Sequence, residues 1–407
     1  MALIVHKYGG TSVGTPEKIK NVAKRLARLK NDGNDLVVVV SAMGHTTDEL
    51  IELMNKVSHS PDHREYDMLV STGEQISAAL LSMALLDIGC PAISLTGGQA
   101  GIITEDIYKK ARITGIKLDR IKREVKDGKI VVITGFQGID SKGDIITIGR
   151  GGSDTSAVAV AAALKADICE IYTDVDGVYS TDPRIVKNAR KLKSISYDEM
   201  LELASLGAQV LHPRSVECAR VHGVVIHLRS SINTDVEGTL IKEAGKMENN
   251  EVVTGIALDS DTAKIGVLGI PDKPGVASKI FNELAREHIN VDMIVQSVHS
   301  KGEKADIAFT VKKDESKKAV EVAGSVAGDL GAQEVVSDPN VAKVSLVGVG
   351  MVSKPGVASA MFDVLAKEKI NIEMISTSEI KISCIIKADL GKKAVQILHD
   401  KFALSKK

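Results

Sequence analysis

A repeat near the C-terminus constrains this chain more than any other feature. Lys273–Ile294 and Lys354–Ile375 share 14 identities in 22 positions at an offset of 81. Each copy reads strand, Lys-Pro-Gly-Val-Ala-Ser, helix, Ile-Asn, strand. A solenoid needs more copies than two, so the repeat predicts a pair of duplicated small domains. The polar, weakly periodic stretch 241–251 before them reads as a linker. The expected division is therefore 1–240 for an N-terminal domain, 241–251 for the linker, then 252–335 and 336–407 for the two copies.

The N-terminal region alternates strand and helix patterns. Apolar β-rich runs occur at Leu3–Val5, Leu36–Val40, Ala92–Leu95, Ile130–Ile133 and Ile168–Tyr172. Strands apolar on both faces imply a sheet covered by helices on both sides. Pro16 suits a first helical turn after Thr15, and Ile19, Val22, Ala23, Leu26 and Leu29 follow at helical spacing. Further helices are expected over 75–87, ended by Gly89, and over the Ala-rich 155–165. This is a layered α/β domain.

Composition removes several function classes. With 52 basic and 53 acidic side chains, the chain lacks the cationic excess of a nucleic-acid footprint. Aromatic residues are only 3%, with no Trp, so single-strand stacking platforms are not expected. The longest apolar runs fall well short of the ~18 residues of a membrane span. No signal peptide is visible, and a cytoplasmic protein is expected. Cys90, Cys169, Cys218 and Cys384 lie far apart without CxxC spacing, which suggests neither a zinc site nor a disulfide framework.

Chemistry-bearing residues cluster where strands end. Lys7-Tyr8-Gly9-Gly10-Thr11-Ser12-Val13-Gly14 lacks the Lys-Ser/Thr of a P-loop, yet its glycines let backbone N–H groups approach an anion. Gly149-Arg150-Gly151-Gly152-Ser153-Asp154 leads into the Ala-rich helix, whose N-terminus suits a phosphate or carboxylate. Arg150 offers a bidentate fork. Val40–Thr47, Ser71-Thr72-Gly73-Glu74 and Thr173–Tyr179, followed by Thr181–Arg184, complete the set. Each has a plainer reading: a solvated Lys7, Ser153 or Asp154 capping a helix, a surface His45, a first-turn Glu74, a turn at Asp174–Gly177. Together they sit at strand C-termini, where open α/β sheets bind ligands.

Lys-Tyr-Gly-Gly-Thr-Ser-Val, Ser-Ala-Met-Gly, Ser-Thr-Gly-Glu, Gly-Phe-Gln-Gly, Gly-Arg-Gly-Gly-Ser-Asp and Thr-Asp-Val-Asp-Gly-Val-Tyr occur in the order found in aspartate kinases. Over essentially its whole length the chain resembles a monofunctional bacterial aspartokinase, and the repeat resembles that family's paired ACT domains. The resemblance implies an amino-acid-kinase-type three-layer αβα sandwich followed by two ferredoxin-like βαββαβ ACT domains. It implies transfer of the ATP γ-phosphoryl group to the β-carboxylate of L-aspartate, giving an acyl phosphate at the entrance to lysine, threonine and methionine synthesis. A carboxylate with a pKa near ~3.9 is already ionised at pH 7, so no general base is required. Catalysis would be positioning and charge neutralisation.

By this resemblance Lys7 contacts the transferring phosphoryl group and Asp154 organises the lysine. Arg150 clamps the substrate α-carboxylate and Glu74 takes its ammonium. Thr47, Ser41, Gly151, Gly152 and Ser153 complete the substrate site, with Phe136 packed beside it. Nucleotide contacts fall to Lys7, Tyr8, Gly9, Gly10, Ser41, Thr173, Asp174, Tyr179, Asp182, Pro183, Arg184 and, as a neutral contact where some relatives carry Lys, Gln209. Mg²⁺ is expected through the ATP phosphates, with no protein metal site. Effector residues would be Asp272, Pro274, Gly275, Val276, Ala277, Asn290, Asp292 and Gln296 in the first copy. Val357, Ala358, Asn371, Ile372, Ser378 and Glu379 in the second would complete sites across a subunit interface. Lysine and/or threonine are the implied effectors.

The implied assembly is a homo-oligomer through the ACT domains, or an α2β2 complex with a short subunit started at Met247. No attached homoserine dehydrogenase is expected, and neither nucleic acid nor membrane is an expected partner. Two other readings stay open: an amino-acid-kinase-fold enzyme acting on glutamate, carbamate or UMP, and a catalytically silent amino-acid sensor.

Overall fold

A computed structural model describes residues 2–206, 210–245, 252–297 and 304–405. They form two compact units. The first holds the chain up to Val178 together with Lys191–Ala204 and the segment that ends in the strand Thr239–Lys242.

The first unit is built on an eight-stranded sheet in the order Ser194–Ser196, Thr239–Lys242, Ile226–Ser230, Ile168–Thr173, Leu3–Tyr8, Asp35–Val40, Ile130–Thr134, Ala92–Leu95. All pairs are parallel except Ile226–Ser230 with Thr239–Lys242. The five strands anticipated from apolar runs are the five consecutive ones from Ile168–Thr173 to Ala92–Leu95. Leu36, Val38, Val40, Ile130 and Val132 pack against the helices Pro16–Asn31 and Thr72–Asp87. The alternate residues turn to the other face, which the helix Gly152–Leu164 covers. A second sheet of four short strands runs Ile113–Ile116, Ile102–Thr104, Gln137–Ile139, Ile145–Thr147.

Local signals set the helix ends. Thr15 Oγ1 accepts the N–H of Lys18 and Pro16 opens Pro16–Asn31, as the sequence indicated. Thr72–Asp87 begins a turn earlier than the expected 75. Together with His63–Val70 it makes a 25-residue stretch long and apolar enough to cross a membrane, but half of its most apolar window is buried within the protein. Gly152–Leu164 also begins early. Its N-cap is Gly151, so Ser153 and Asp154 lie inside the first turn and neither caps the helix.

Two expected boundaries need correction. Residues 241–242 belong to the strand Thr239–Lys242, with Ile241 fully buried, and are not linker. The segment Tyr179–Arg190 belongs to the second unit. There Val186 and Ala189 join a core with Met361, Leu365 and Leu398, and the Ser180 hydroxyl meets the Leu404 carbonyl at 3.1 Å. These partners come from residues far away in sequence, which local patterning cannot register.

The second unit is a six-stranded antiparallel sheet in the order Ile294–Gln296, Lys304–Val311, Gly255–Pro271, Glu334–Val347, Lys381–Lys387, Met374–Thr377. Its two central strands, of 17 and 14 residues, are too long for one small domain and serve both. Residues 263–271 pair with Lys304–Val311 and with 334–338, and the helices Val276–Arg286 and Ser316–Leu330 complete the first module. Residues 341–347 pair with Lys381–Lys387 on one side and with 255–259 on the other. The helices Val357–Lys367 and Gly391–Lys401 complete the second module. Each module has the four-strand, two-helix ferredoxin-like layout. The fourth strand of the second comes from ahead of the first, so a cut at 335/336 does not separate them. The repeat shows in the cores: Val276, Ile280 and Leu284 are buried in one helix, and Val357, Met361 and Leu365 in the other.

Cys90, Cys169 and Cys384 are buried, Cys218 is half-buried, and all four are free thiols.

Candidate active site

Strand alternation sends neighbouring residues of Leu3–Tyr8 to opposite faces. Lys7 turns toward Gly152–Leu164, and its Nζ lies 2.5 Å from Asp154 Oδ1, both side chains nearly buried. His6 and Tyr8 turn the other way. They stack with Tyr172, the Tyr8 and Tyr172 rings 4.8 Å apart, and Arg25 covers Tyr172. Burial holds His6 neutral, its pKa lowered to about 4. Burial alone would raise Glu170 beside it, but bonds from His227 and Tyr172 and the charge of Arg229 bring it down to about 2. This polar ladder pins the strand that presents Lys7. The Tyr8 ring is fully buried in it, so the expected nucleotide contact at Tyr8 is left to its backbone.

Past the strand the chain runs close to the loop after Val40. A Cβ on Gly10 would come 2.7 Å from the Ala42 carbonyl, and the Gly44 N–H donates to the Gly10 carbonyl. Gly9 lies beside Lys7 Nζ, and its N–H donates to the Tyr172 carbonyl. Ser41 donates its N–H to the Tyr8 carbonyl. The Ala42 N–H donates to Glu74 Oε1 at 3.0 Å. Glu74 is only 3% exposed, and its Oε2 has no hydrogen-bond partner. Burial raises its pKa to about 7, against the lowering effect of the Ala42 N–H. A carboxyl buried with one oxygen open invites a cation. Thr47 is half-buried in the first turn of Thr46–Val57, whose Thr46 packs beside Gly73.

On the other side of Asp154 the helix start is built from tight approaches. Gly151 has φ +69°, and a Cβ there would strike the His212 ring. A Cβ on Gly152 would press on Phe136, and one on Gly135 on Ser153. Phe136 itself has φ +68°, a strained conformation for an aromatic residue that costs on the order of 1–3 kcal/mol. Its N–H donates to Ser156 Oγ, which in turn donates to the Gly152 carbonyl. The first-turn N–H groups at Ser153 and Asp154 lack intrahelical acceptors. Arg150 is exposed and makes no ion pair or hydrogen bond with the described residues. Thr173, at a strand end, donates to the exposed Asp174.

Lys7, Gly9, Gly10, Ser41, Glu74, Phe136 and Gly151–Asp154 are thus gathered around neighbouring strand ends of the first unit. Tyr179, Asp182, Pro183 and Arg184 lie in the second unit, where Asp182 and Arg184 pair with each other. Gln209 and Met247 lie outside the described residues. Among the described residues no three His, Cys, Asp or Glu side chains are grouped for a metal.

The expected effector residues take two equivalent positions. Gly275 and Gly356, at φ +91° and +96°, precede the helices of the two modules. Pro274 and Asn290 are exposed, Ala277 and Ala358 half-buried, and Val276 and Val357 buried. Asp272 accepts a long hydrogen bond from Gln296. Asn371, Ser378 and Glu379 are exposed, and Ile372 packs on the second module's core. Asp292, expected to meet an effector ammonium, is exposed and is ion-paired through one oxygen with Lys343 of the other module. Glu373, its counterpart in the repeat, is paired with Lys264 of the first.

Several positioning residues escaped sequence reading. Ser156 ties Phe136 to the helix start. The carboxylate of Asp67, fully buried, accepts from the Lys109 N–H, the Thr147 N–H and the Thr147 hydroxyl. Arg214 donates to the carbonyls of Ile148 and Ala111. All bond to backbone, which no residue pattern announces.

The chain matches the amino acid kinase family over residues 2–230 and the ACT domain over 265–324 and 344–402. It is 52% identical over 405 residues to an aspartokinase of Bacillus sp. (strain MGA3), covering 100% of this chain and 98% of that one. E. coli aspartokinase III in complex with aspartate and ADP has a similar fold, with TM-score 0.80, 25% identity and coverage of 98% and 99%. The same enzyme in complex with lysine and aspartate gives TM-score 0.75 at 26% identity, covering 98% and 99%. Matched over residues 2–230 by the amino acid kinase family, then by paired ACT domains, and end to end by aspartokinases, this chain is a member of the aspartokinase family and a phosphotransferase.

Proposed function

We propose that the chain phosphorylates the β-carboxylate of L-aspartate with ATP to give 4-phospho-L-aspartate, the first step toward lysine, threonine and methionine. The observation that carries this reading is the pairing of Lys7 with Asp154 beside a buried Glu74 that keeps one oxygen open. A β-carboxylate oxygen attacks the γ-phosphorus, the bond to the bridging oxygen breaks, and ADP leaves with that electron pair. No proton is removed from the nucleophile. Lys7 neutralises charge on the transferring phosphoryl group, and Asp154 holds Lys7 in place. Gly9 and Gly10 keep the chain beside Lys7 free of side chains, and a Cβ on Gly10 would strike the Ala42 carbonyl, so a phosphate has room to approach Lys7 there. Thr173 and Asp174 contribute at the nucleotide. Mg²⁺ would travel on the phosphates with water ligands, its charge offsetting theirs.

Glu74 takes the substrate ammonium and Arg150 its α-carboxylate, a pairing that selects an α-amino acid. Ser41, Thr47 and Ser153 hydrogen-bond the substrate, Gly151 and Gly152 leave it room, and Phe136 packs beside it. The ACT modules bind lysine and/or threonine at the loops before Val276 and Val357, completed across a subunit interface in a homo-oligomer or an α2β2 complex. E. coli aspartokinase III in complex with aspartate and ADP, and with lysine, supports this assignment by analogy.

The test is ATP- and Mg²⁺-dependent acyl-phosphate formation from L-aspartate, trapped as the hydroxamate, with lysine and threonine added singly and together. Formation from aspartate and its suppression by effector are expected. Phosphorylation of glutamate, carbamate or UMP with none of aspartate would overturn the substrate. Activity indifferent to both amino acids would overturn the effectors.

A further inference from the structure

Arg150 stands on a turn whose backbone is gripped from two sides. On one side Asp67 receives the Thr147 N–H at 2.9 Å, the Thr147 hydroxyl at 2.7 Å and the Lys109 N–H at 3.0 Å. On the other, the Arg214 fork spans both chains of the turn, Nη1 donating to the Ile148 carbonyl at 2.6 Å and Nη2 to the Ala111 carbonyl at 2.8 Å. The same Ile148 peptide donates its N–H to the carbonyl of the strained Phe136 at 2.7 Å. Arg214 starts the helix Pro213–His222 from a backbone N–H capped by His212, the residue against which Gly151 is packed. The guanidinium therefore holds Ile148, whose own N–H bonds the strained Phe136, while the Arg214 backbone N–H bonds His212, the wall behind Gly151.

The arrangement is costly for a purely architectural bond. Arg214 is half-buried, yet no carboxylate lies within ion-pair distance of it among the described residues. Its fork is spent on two neutral carbonyls; burial and then the charge of Arg112 work against its own charge, and Glu105 and Glu217 offset them only from beyond ion-pair distance. Apolar packing would close the same turn without burying a cation. A planar fork, however, fixes two carbonyls in one geometry, which an ammonium cannot do.

We propose that Arg214 is a positioning residue for substrate recognition: by clamping Ile148 and Ala111 it sets the Ile148–Arg150 turn so that the Arg150 guanidinium meets the α-carboxylate of the amino-acid substrate. The proposal rests on the reading that Arg150 binds that carboxylate.

The test is a double-mutant cycle in the full-length enzyme, with KM for aspartate, KM for ATP, kcat and Tm measured for Arg150→Ala, Arg214→Lys and the double variant. Arg214→Lys keeps the charge but not the two-carbonyl clamp. It should raise KM for aspartate about tenfold to a hundredfold, the cost of a small misplacement, with KM for ATP and kcat within threefold. Added to Arg150→Ala it should raise KM no further, because the two act through one contact. Arg214→Gln, which reaches one carbonyl, should show a smaller rise and guards against misfolding of the Lys variant. Unchanged KM for aspartate in Arg214→Lys beside an impaired Arg150→Ala would overturn the proposal alone. An unimpaired Arg150→Ala would overturn the underlying reading, and the proposal with it. Loss of Tm with all kinetic constants moving together, or additive effects in the double variant, would assign Arg214 an architectural role and also overturn it.

Discussion

The two units treat their charges in opposite ways. In the kinase unit Lys7 and Asp154 answer each other, but two neighbouring charged side chains are left unanswered: Glu74 keeps an oxygen without a partner, and Arg150 has none among the described residues. In the ACT unit equivalent positions answer each other across the modules, Lys264 to Glu373 and Lys343 to Asp292, with Lys343 also 3.3 Å from Asp259. Around them Met293, Met374, Val341 and Ile385 form a small shared core. In the proposed function, the charges left open receive a charged small molecule. Charges closed on one another mark how two copies of a repeat are held together.

The sharpest way to break this contrast is to remove Lys7, the cation at the centre of the kinase unit. Lys7→Ala should lower kcat by about a thousandfold or more while circular dichroism shows a folded chain. Activity within tenfold of wild type would remove Lys7 from the mechanism. The next effect is on pH. Glu74 must be ionised to hold an ammonium and is protonated below about 7, so KM for aspartate should rise as pH falls through 7, with KM for ATP unaffected. A flat profile would mean that Glu74 does not meet the substrate.

In the ACT unit, Lys343→Ala strands two partly exposed carboxylates and should cost about 1–3 kcal/mol by denaturant unfolding, with turnover in the absence of effector unchanged. A loss of basal turnover would erase the distinction between the units. The smallest effect is expected at Arg184, itself almost fully exposed though its partner Asp182 is half-buried. Arg184→Ala should leave Tm where it was.

What could be read in advance follows the range of the interactions. The runs Leu3–Val5, Leu36–Val40 and Ile130–Ile133 are apolar on both faces and were legible as buried strands. Ser194–Ser196 and Thr239–Lys242 are three or four residues long and partly polar, at the sheet's far edge, and were not. The pairing of 255–259 with 341–347 joins residues more than eighty apart, and nothing local encodes it. Lys7, Glu74 and Asp154 each had a plainer reading alone and were singled out by the resemblance to aspartokinases; the structure adds that Lys7 and Asp154 meet. The pairing of Lys343 with Asp292 was not, because it depends on how the modules interlock.

The central claim is that the kinase unit holds a carboxylate open for its substrate at the expense of its own stability. A pKa raised from about 4.5 to about 7 penalises the folded state fully above pH 7, less as pH falls, and not at all below about 4.5. The most direct measurement is unfolding free energy and aspartate kinetics for Glu74→Gln and wild type, both at pH 8. The account predicts a variant more stable by up to about 3 kcal/mol with KM for aspartate raised at least tenfold. A variant less stable than wild type that binds aspartate normally would contradict it.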